Sequence, residues 1–166
     1  MIVGYADWST WARGQSWSVH GFTIAYRYTK HQPFLDKAIG AANFVLDHLP
    51  SAMDMIPYWD YDAPKNSTLP YQPRDTSAAA ICASALVELS GYAPTPELKD
   101  RFLNGAKSIV EQLSSPKYFI PTNNKDKLPA LVANGTVGPY PHNAYDVALE
   151  YGDYYLTQAV VRLSKL

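Results

Sequence analysis

The sequence predicts an all-α protein built from helical hairpins laid side by side along part of a ring. Three observations carry that expectation. Five windows place apolar residues at helical spacing, and no alternating strand pattern competes with them. The connections alternate between short turns and long loops. Helices entered from long loops begin near Trp11, Asp75 and Gly152, a coarse recurrence that places every long loop on one rim.

The first helix is expected over 11–29, with Trp17, Val19, Phe22, Ile24 and Tyr26 among its larger apolar members. Lys30, His31 and Gln32 form a short turn, and Pro33 suits the first turn of a second helix. That helix carries Phe34, Leu35, Ala38, Ala41, Ala42, Val45 and Leu49 at helical spacing before Pro50 stops it. A long loop with Pro57, Pro64, Pro70 and Pro73 follows, and it contains the aromatic and acidic run Tyr58-Trp59-Asp60-Tyr61-Asp62.

Asp75 caps a third helix, rich in Ala and Ser, that closes at Gly91. Thr95 and Pro96 open a fourth, amphipathic helix over about 97–113, through Leu98, Phe102, Ala106, Ile109, Val110 and Leu113. The second long loop runs from Ser114 to about Tyr151, and Asn134-Gly135 within it signals a small hairpin over 132–137. The last helix is expected over 152–165. Five helices make two and a half hairpins, so each end of the arc is expected to expose an apolar flank open to self-association or to further chain.

Composition narrows the function. At 166 residues, 47% hydrophobic and 17% charged, the chain suits one globular domain over 1–166. A net charge of −1 gives no electrostatic case for nucleic acid or for a membrane surface. No apolar run approaches a membrane span, and Met1-Ile2-Val3-Gly4 lacks the features of a signal peptide. The single Cys82 excludes an internal disulfide and reads as a buried thiol. Two sequons, at Asn66 and Asn134, lie in expected loops. His20, His31, His48 and His142 show no metal-site spacing, and no cofactor fingerprint is present.

The stretch Trp11-Ala12-Arg13-Gly14-Gln15-Ser16-Trp17 is the most distinctive in the chain. Two indoles and a guanidinium suit a ligand with apolar ring faces and an anionic group, such as an acidic sugar. From composition alone the favoured reading is structural, with the tryptophans packed in the core and Arg13 paired with a structural carboxylate. Trp59 reads either as a further sugar platform or as a loop anchor. Asp75 and Asp153 read as helix-start carboxylates, while Asp60 and Asp62 are expected to hold the loop or Arg74, with a catalytic role as the minor alternative.

The segment Gly4-Tyr5-Ala6-Asp7-Trp8-Ser9-Thr10-Trp11-Ala12-Arg13-Gly14-Gln15-Ser16-Trp17 resembles the unsaturated glucuronyl hydrolases, glycoside hydrolase family 88. Their hallmark reads approximately G-Y-x-D-x-S-x-W-A-R-G-Q-x-W and continues into a Gly-Phe helix, as at Gly21-Phe22. Tyr58-Trp59-Asp60, the stretch from Arg74 to Ile81, and Tyr151-Gly152-Asp153-Tyr154-Tyr155 look like that family in the same order. The resemblance implies a partial (α/α)6 barrel, a six-hairpin toroid of which this chain is the C-terminal part.

It also implies action on oligosaccharides that carry a 4,5-unsaturated uronic acid at the non-reducing end. In that family an aspartic acid protonates the vinyl ether and activates water, and the hemiketal opens without metal or cofactor. By position, Trp11, Arg13 and Trp17 match residues that line the sugar pocket, while the catalytic aspartates match nothing in this chain and lie upstream. Val3 stands where the family has glutamine, and Trp8 where a small or acidic residue is usual. The alternative expectation is a non-catalytic truncated product or a carbohydrate-binding remnant that retains one wall of the pocket.

Overall fold

The computed structural model describes residues 4–51, 54–64, 72–121, 129–138 and 144–166, and all structural statements below concern these residues. The expected positions Val3, Asn66, Pro70 and His142 lie outside them. Five helices are present: α1 (Ala12–Thr29), α2 (Gln32–His48), α3 (Thr76–Ser90), α4 (Pro96–Leu113) and α5 (Glu150–Leu163).

Local chemistry sets most of the boundaries. The Asp75 carboxylate accepts from the backbone N–H groups of Ser77 and Ala78, and the Thr95 hydroxyl accepts from Leu98 N–H. Pro33 and Pro96 sit in first turns, where a missing N–H costs nothing. At the other end of α1, Lys30 takes the left-handed conformation (φ 54°) and its N–H bonds to Tyr26 O. Gly91 closes α3 without needing that freedom, because its φ is −70°.

Every residue of α3 except Glu88 is buried. The helix is packed by α1, α4 and α5, and its run of alanine and serine keeps the separations short. Large side chains then fill the space behind it: Val45, Ile56, Phe102, Ile109 and Leu113 are sealed in one core with its own Leu86 and Leu89. α2 backs α1 and α4 backs α3, while α1 and α5 flank α3. The result is an inner row of α1, α3 and α5 with an outer row of α2 and α4, as expected of hairpins set along an arc. Cys82 lies within α3, where burial pushes its thiol up to about 12, so it is inert as a nucleophile.

The two long loops meet over the N-termini of the inner row. Ala12 N–H donates to Trp59 O (2.9 Å), Asp75 N–H to Pro57 O (3.0 Å) and Thr76 N–H to Asn134 O (3.1 Å). The expected hairpin at 132–137 does not form. Asn134 does adopt a positive φ of 61°, but Val132 bridges to Phe119 and Gly135 to Val147. The stretch crosses between two other segments instead of folding onto itself. Glycine is required at 135 by proximity: a Cβ there would lie 2.9 Å from Val147 O and 2.7 Å from Leu149 Cδ1.

Because α3 is enclosed by three helices, added volume has nowhere to go. Ala83→Leu is expected to destabilise the fold by about 1–3 kcal/mol, read as a lower urea midpoint. An unchanged midpoint would show that the inner row is not close-packed at Ala83.

Candidate functional site

Arg13 occupies the first turn of α1, where the helix dipole disfavours a cation, and only 5% of it is exposed. Its neighbours offset that cost. Nη1 donates to Asp75 Oδ2 (3.2 Å), Ser77 Oγ (3.0 Å) and Thr136 O (2.8 Å), and Nη2 donates to Val137 O (3.0 Å). The guanidinium carbon also lies 4.9 Å from the Trp11 ring centre and 5.1 Å from that of Tyr151. One side chain thus joins the starts of α1, α3 and α5 to the 134–138 segment.

Asp75 is fully buried. Its Oδ1 accepts from Ser77 N (3.1 Å), Ser77 Oγ (2.6 Å), Ala78 N (3.3 Å) and Thr136 N (3.5 Å). Burial raises its carboxyl above the ordinary value, while Arg13 and then the hydrogen bond from Ser77 oppose the rise.

The other rim carboxylates are also engaged. Asp60, fully buried, accepts from Tyr5 N (2.9 Å), Ser9 Oγ (2.7 Å), Asp62 N (2.9 Å) and Ala63 N (3.1 Å). Asp62 accepts from Thr10 N (2.7 Å), and Asp153 from Leu131 N (2.9 Å) and Val132 N (3.1 Å). Asp60 and Asp62 therefore hold the loop, as one of their expected roles requires. Arg74 pairs with Asp54 (3.1 Å) instead, donates to Ile56 O (2.7 Å) and lies 3.9 Å over Tyr58. Asp7 is exposed.

The four tryptophan and arginine candidates separate into distinct environments. Trp11 and Arg13 are in direct contact, and Gly14 makes room for the indole, since a Cβ there would lie 2.8 Å from Trp11 Cε3. Half-buried Trp17 belongs to a second aromatic group, with Tyr155 at 5.2 Å and His20 at 5.8 Å. Trp59 is 1% exposed and presents no ring face to the outside, so its geometry is that of a loop anchor, with Trp59 N–H bonded to Pro73 O (3.0 Å). Arg13 likewise has the structural carboxylate partner that one of its two readings requires.

Sequence reasoning did not place Tyr151, Ser77, Thr136 or Val137 at this site. The signal available for Tyr151 was its position at the head of the Tyr-Gly-Asp-Tyr-Tyr block. No group of three or more His, Cys, Asp or Glu side chains suited to a metal ion occurs among the described residues. Nor is any described helix long and apolar enough to cross a membrane.

The ion pair fixes a pH dependence. A carboxyl whose folded pKa lies above its unfolded one contributes stability at low pH that is lost as pH rises through the raised value. Removing Arg13 takes away the largest influence holding Asp75 down, so it widens that window. Arg13→Met is expected to cost about 3–5 kcal/mol at pH 7 and clearly less at pH 4, measured by urea unfolding at both. An equal cost at the two pH values would contradict the pairing.

No family model matches the chain. It is 36% identical to an unsaturated glucuronyl hydrolase of Formosa agariphila, over 98% of this chain and 38% of that protein. The crystal structure of unsaturated glucuronyl hydrolase from Bacillus sp. GL1 superposes with a TM-score of 0.87 at 29% identity, covering 99% of this chain and 42% of that one. A Streptococcus agalactiae unsaturated glucuronyl hydrolase variant complexed with dGlcA-GalNAc6S matches with a TM-score of 0.78 at 29% identity, over 98% of this chain and 41% of that one. These proteins are six-hairpin helical barrels, and the five helices here correspond to an arc of one. In sequence and in fold the chain is similar to part of the unsaturated glucuronyl hydrolases, and it spans about two fifths of the length of the relatives it matches.

Proposed function

We propose that this chain forms one wall of the sugar cleft in a hydrolase that removes a 4,5-unsaturated uronic acid from the non-reducing end of an oligosaccharide. The supporting observation is the Trp11–Arg13–Tyr151 contact at the long-loop rim, where an aromatic face is held against a buried cation. Trp11 and Trp17 are assigned ring faces for the sugar. Among the described residues Arg13 Nη1 has three acceptors and Nη2 one, and the second Nη2 N–H is assigned to a ligand oxygen. Trp59 is assigned the support of the loop behind them.

Hydration of a vinyl ether needs a carboxyl group that is protonated at working pH and free to deliver that proton. Asp60, Asp62, Asp75 and Asp153 are each tied to two or more neighbours or to a backbone donor, and exposed Asp7 lacks the burial that raises a carboxyl into that range. The proton donor is therefore assigned to a part of the enzyme outside these residues. The same observation favours a second reading for the chain alone, a carbohydrate-binding wall without turnover.

The test follows loss of the double-bond absorbance of an unsaturated glucuronyl disaccharide, alongside its binding to the chain. Binding without turnover by the chain is expected, and about tenfold weaker binding by Trp11→Ala, equivalent to about 1.4 kcal/mol. Turnover by the chain alone would overturn the assignment of the proton donor. Binding that ignores Trp11→Ala would overturn the wall.

The flank of α5 exposes Tyr154, Val160 and Val161, the surface assigned here to the rest of the barrel. The isolated chain is expected to self-associate, read as a mass above the monomer in sedimentation. A sharply monomeric, cooperatively melting preparation would contradict this.

A further inference from the structure

A guanidinium places its hydrogen-bond donors around its edge and leaves two flat faces that only another planar group covers well. At Arg13 the edge is occupied by Asp75, Ser77 and the carbonyls of Thr136 and Val137. Two ring centres lie close to the guanidinium carbon, that of Trp11, the N-cap of α1, at 4.9 Å and that of Tyr151, in the first turn of α5, at 5.1 Å. α3 lies between the backbones of α1 and α5, which also meet through Trp17, His20 and Tyr155 further along the two helices. Arg13 and its two rings are therefore a place where α5 acts on the orientation of Trp11. The Tyr151 hydroxyl makes no hydrogen bond to a described residue, so in this arrangement the ring alone is in use.

From this the structure assigns Tyr151 a positioning role: its ring holds the Arg13 guanidinium, and through it the Trp11 indole, in the orientation the sugar meets. The assignment rests on the cleft reading above, because Trp11 matters to the substrate only if it lines the cleft. Tyr151 itself is not a catalytic residue.

Phenylalanine at position 151 preserves the ring and removes the hydroxyl, whereas leucine keeps apolar bulk without a flat face and alanine removes both. The variants Tyr151→Phe, Tyr151→Leu and Tyr151→Ala are compared in the whole 166-residue chain, isotopically labelled for NMR. Two readouts are taken: the Arg13 Nε–H and Trp11 Nε1–H resonances, and the dissociation constant for an unsaturated glucuronyl disaccharide. Tyr151→Phe is expected to keep both resonances in place and the affinity within about twofold of the parent chain. Tyr151→Leu and Tyr151→Ala are expected to shift both resonances while that of Trp17 stays put, and to weaken binding about tenfold.

Leucine serves where alanine fails to fold. Trp11 and Arg13 resonances that stay in place in the leucine variant overturn the proposal. So does a phenylalanine variant as weak as the leucine one, since the hydroxyl would then be the working group. A parent chain that does not bind the disaccharide, with Trp11 still displaced by Tyr151→Leu, supports the positioning and overturns the cleft reading alone.

Discussion

A cation buried at the positive end of a helix is a costly arrangement, and the rim of this protein is built around one. Arg13 stays there because Asp75 lies against it, itself a carboxylate that four N–H and O–H donors hold in place. Each partner alone would be an uncompensated buried charge, so the two depend on one another. The pair also depends on the fold. It forms only where the first turn of α1, the cap of α3 and the 134–138 segment have been brought to one point. Its consequence is orientation, because the Trp11 and Tyr151 rings rest on the guanidinium that Asp75 holds.

Packing beneath the rim makes that convergence possible. The alanine and serine residues of α3 let α1 and α5 come close on either side, so three helix starts share one small region. The outer helices α2 and α4 supply the larger side chains, Leu35 and Val45 from one and Phe102, Ile109 and Leu113 from the other. Short turns close the far end, which leaves the long loops free to lace the rim with backbone bonds from Trp59, Pro57 and Asn134. Small residues inside, large residues behind and long loops above together turn an array of hairpins into a surface that holds aromatic groups at one edge.

Much of this was legible from local signals. Helical spacing, Pro33 and Pro96 in first turns, and caps at Asp75 and Thr95 fixed the helices, and the alternation of short and long connections fixed the rim. Contact between Trp11 and Arg13 follows from two residues of separation in one turn. Long-range pairings were not legible. Asp75 lies 62 residues from Arg13, and a helix-cap aspartate carries no mark of a distant arginine. Arg74 found Asp54 when nearer carboxylates at 60 and 62 were already occupied by Tyr5, Ser9 and Thr10. Trp59 lies between half-buried Tyr58 and buried Asp60, and which side of that run turns inward is decided by the bridge between Tyr58 and Arg74. Asn134-Gly135 has turn chemistry, yet the partners of Gly135 lie on the Val147 segment, beyond the reach of a local rule.

The rim thus relates structure to chemistry through a division of labour. Its buried carboxylates are spent on architecture, and the proposed sugar wall rests on the aromatic rings gathered around one guanidinium. The interdependence of Arg13 and Asp75 is measured most directly by a double-mutant cycle on stability at pH 7, using Arg13→Met, Asp75→Asn and the double variant. A coupling of about 2–3 kcal/mol, with the double variant less impaired than the sum of the single ones, is the expected result. Additive effects, within about 0.5 kcal/mol, would show that the two charges do not hold each other and that the rim is organised by something else.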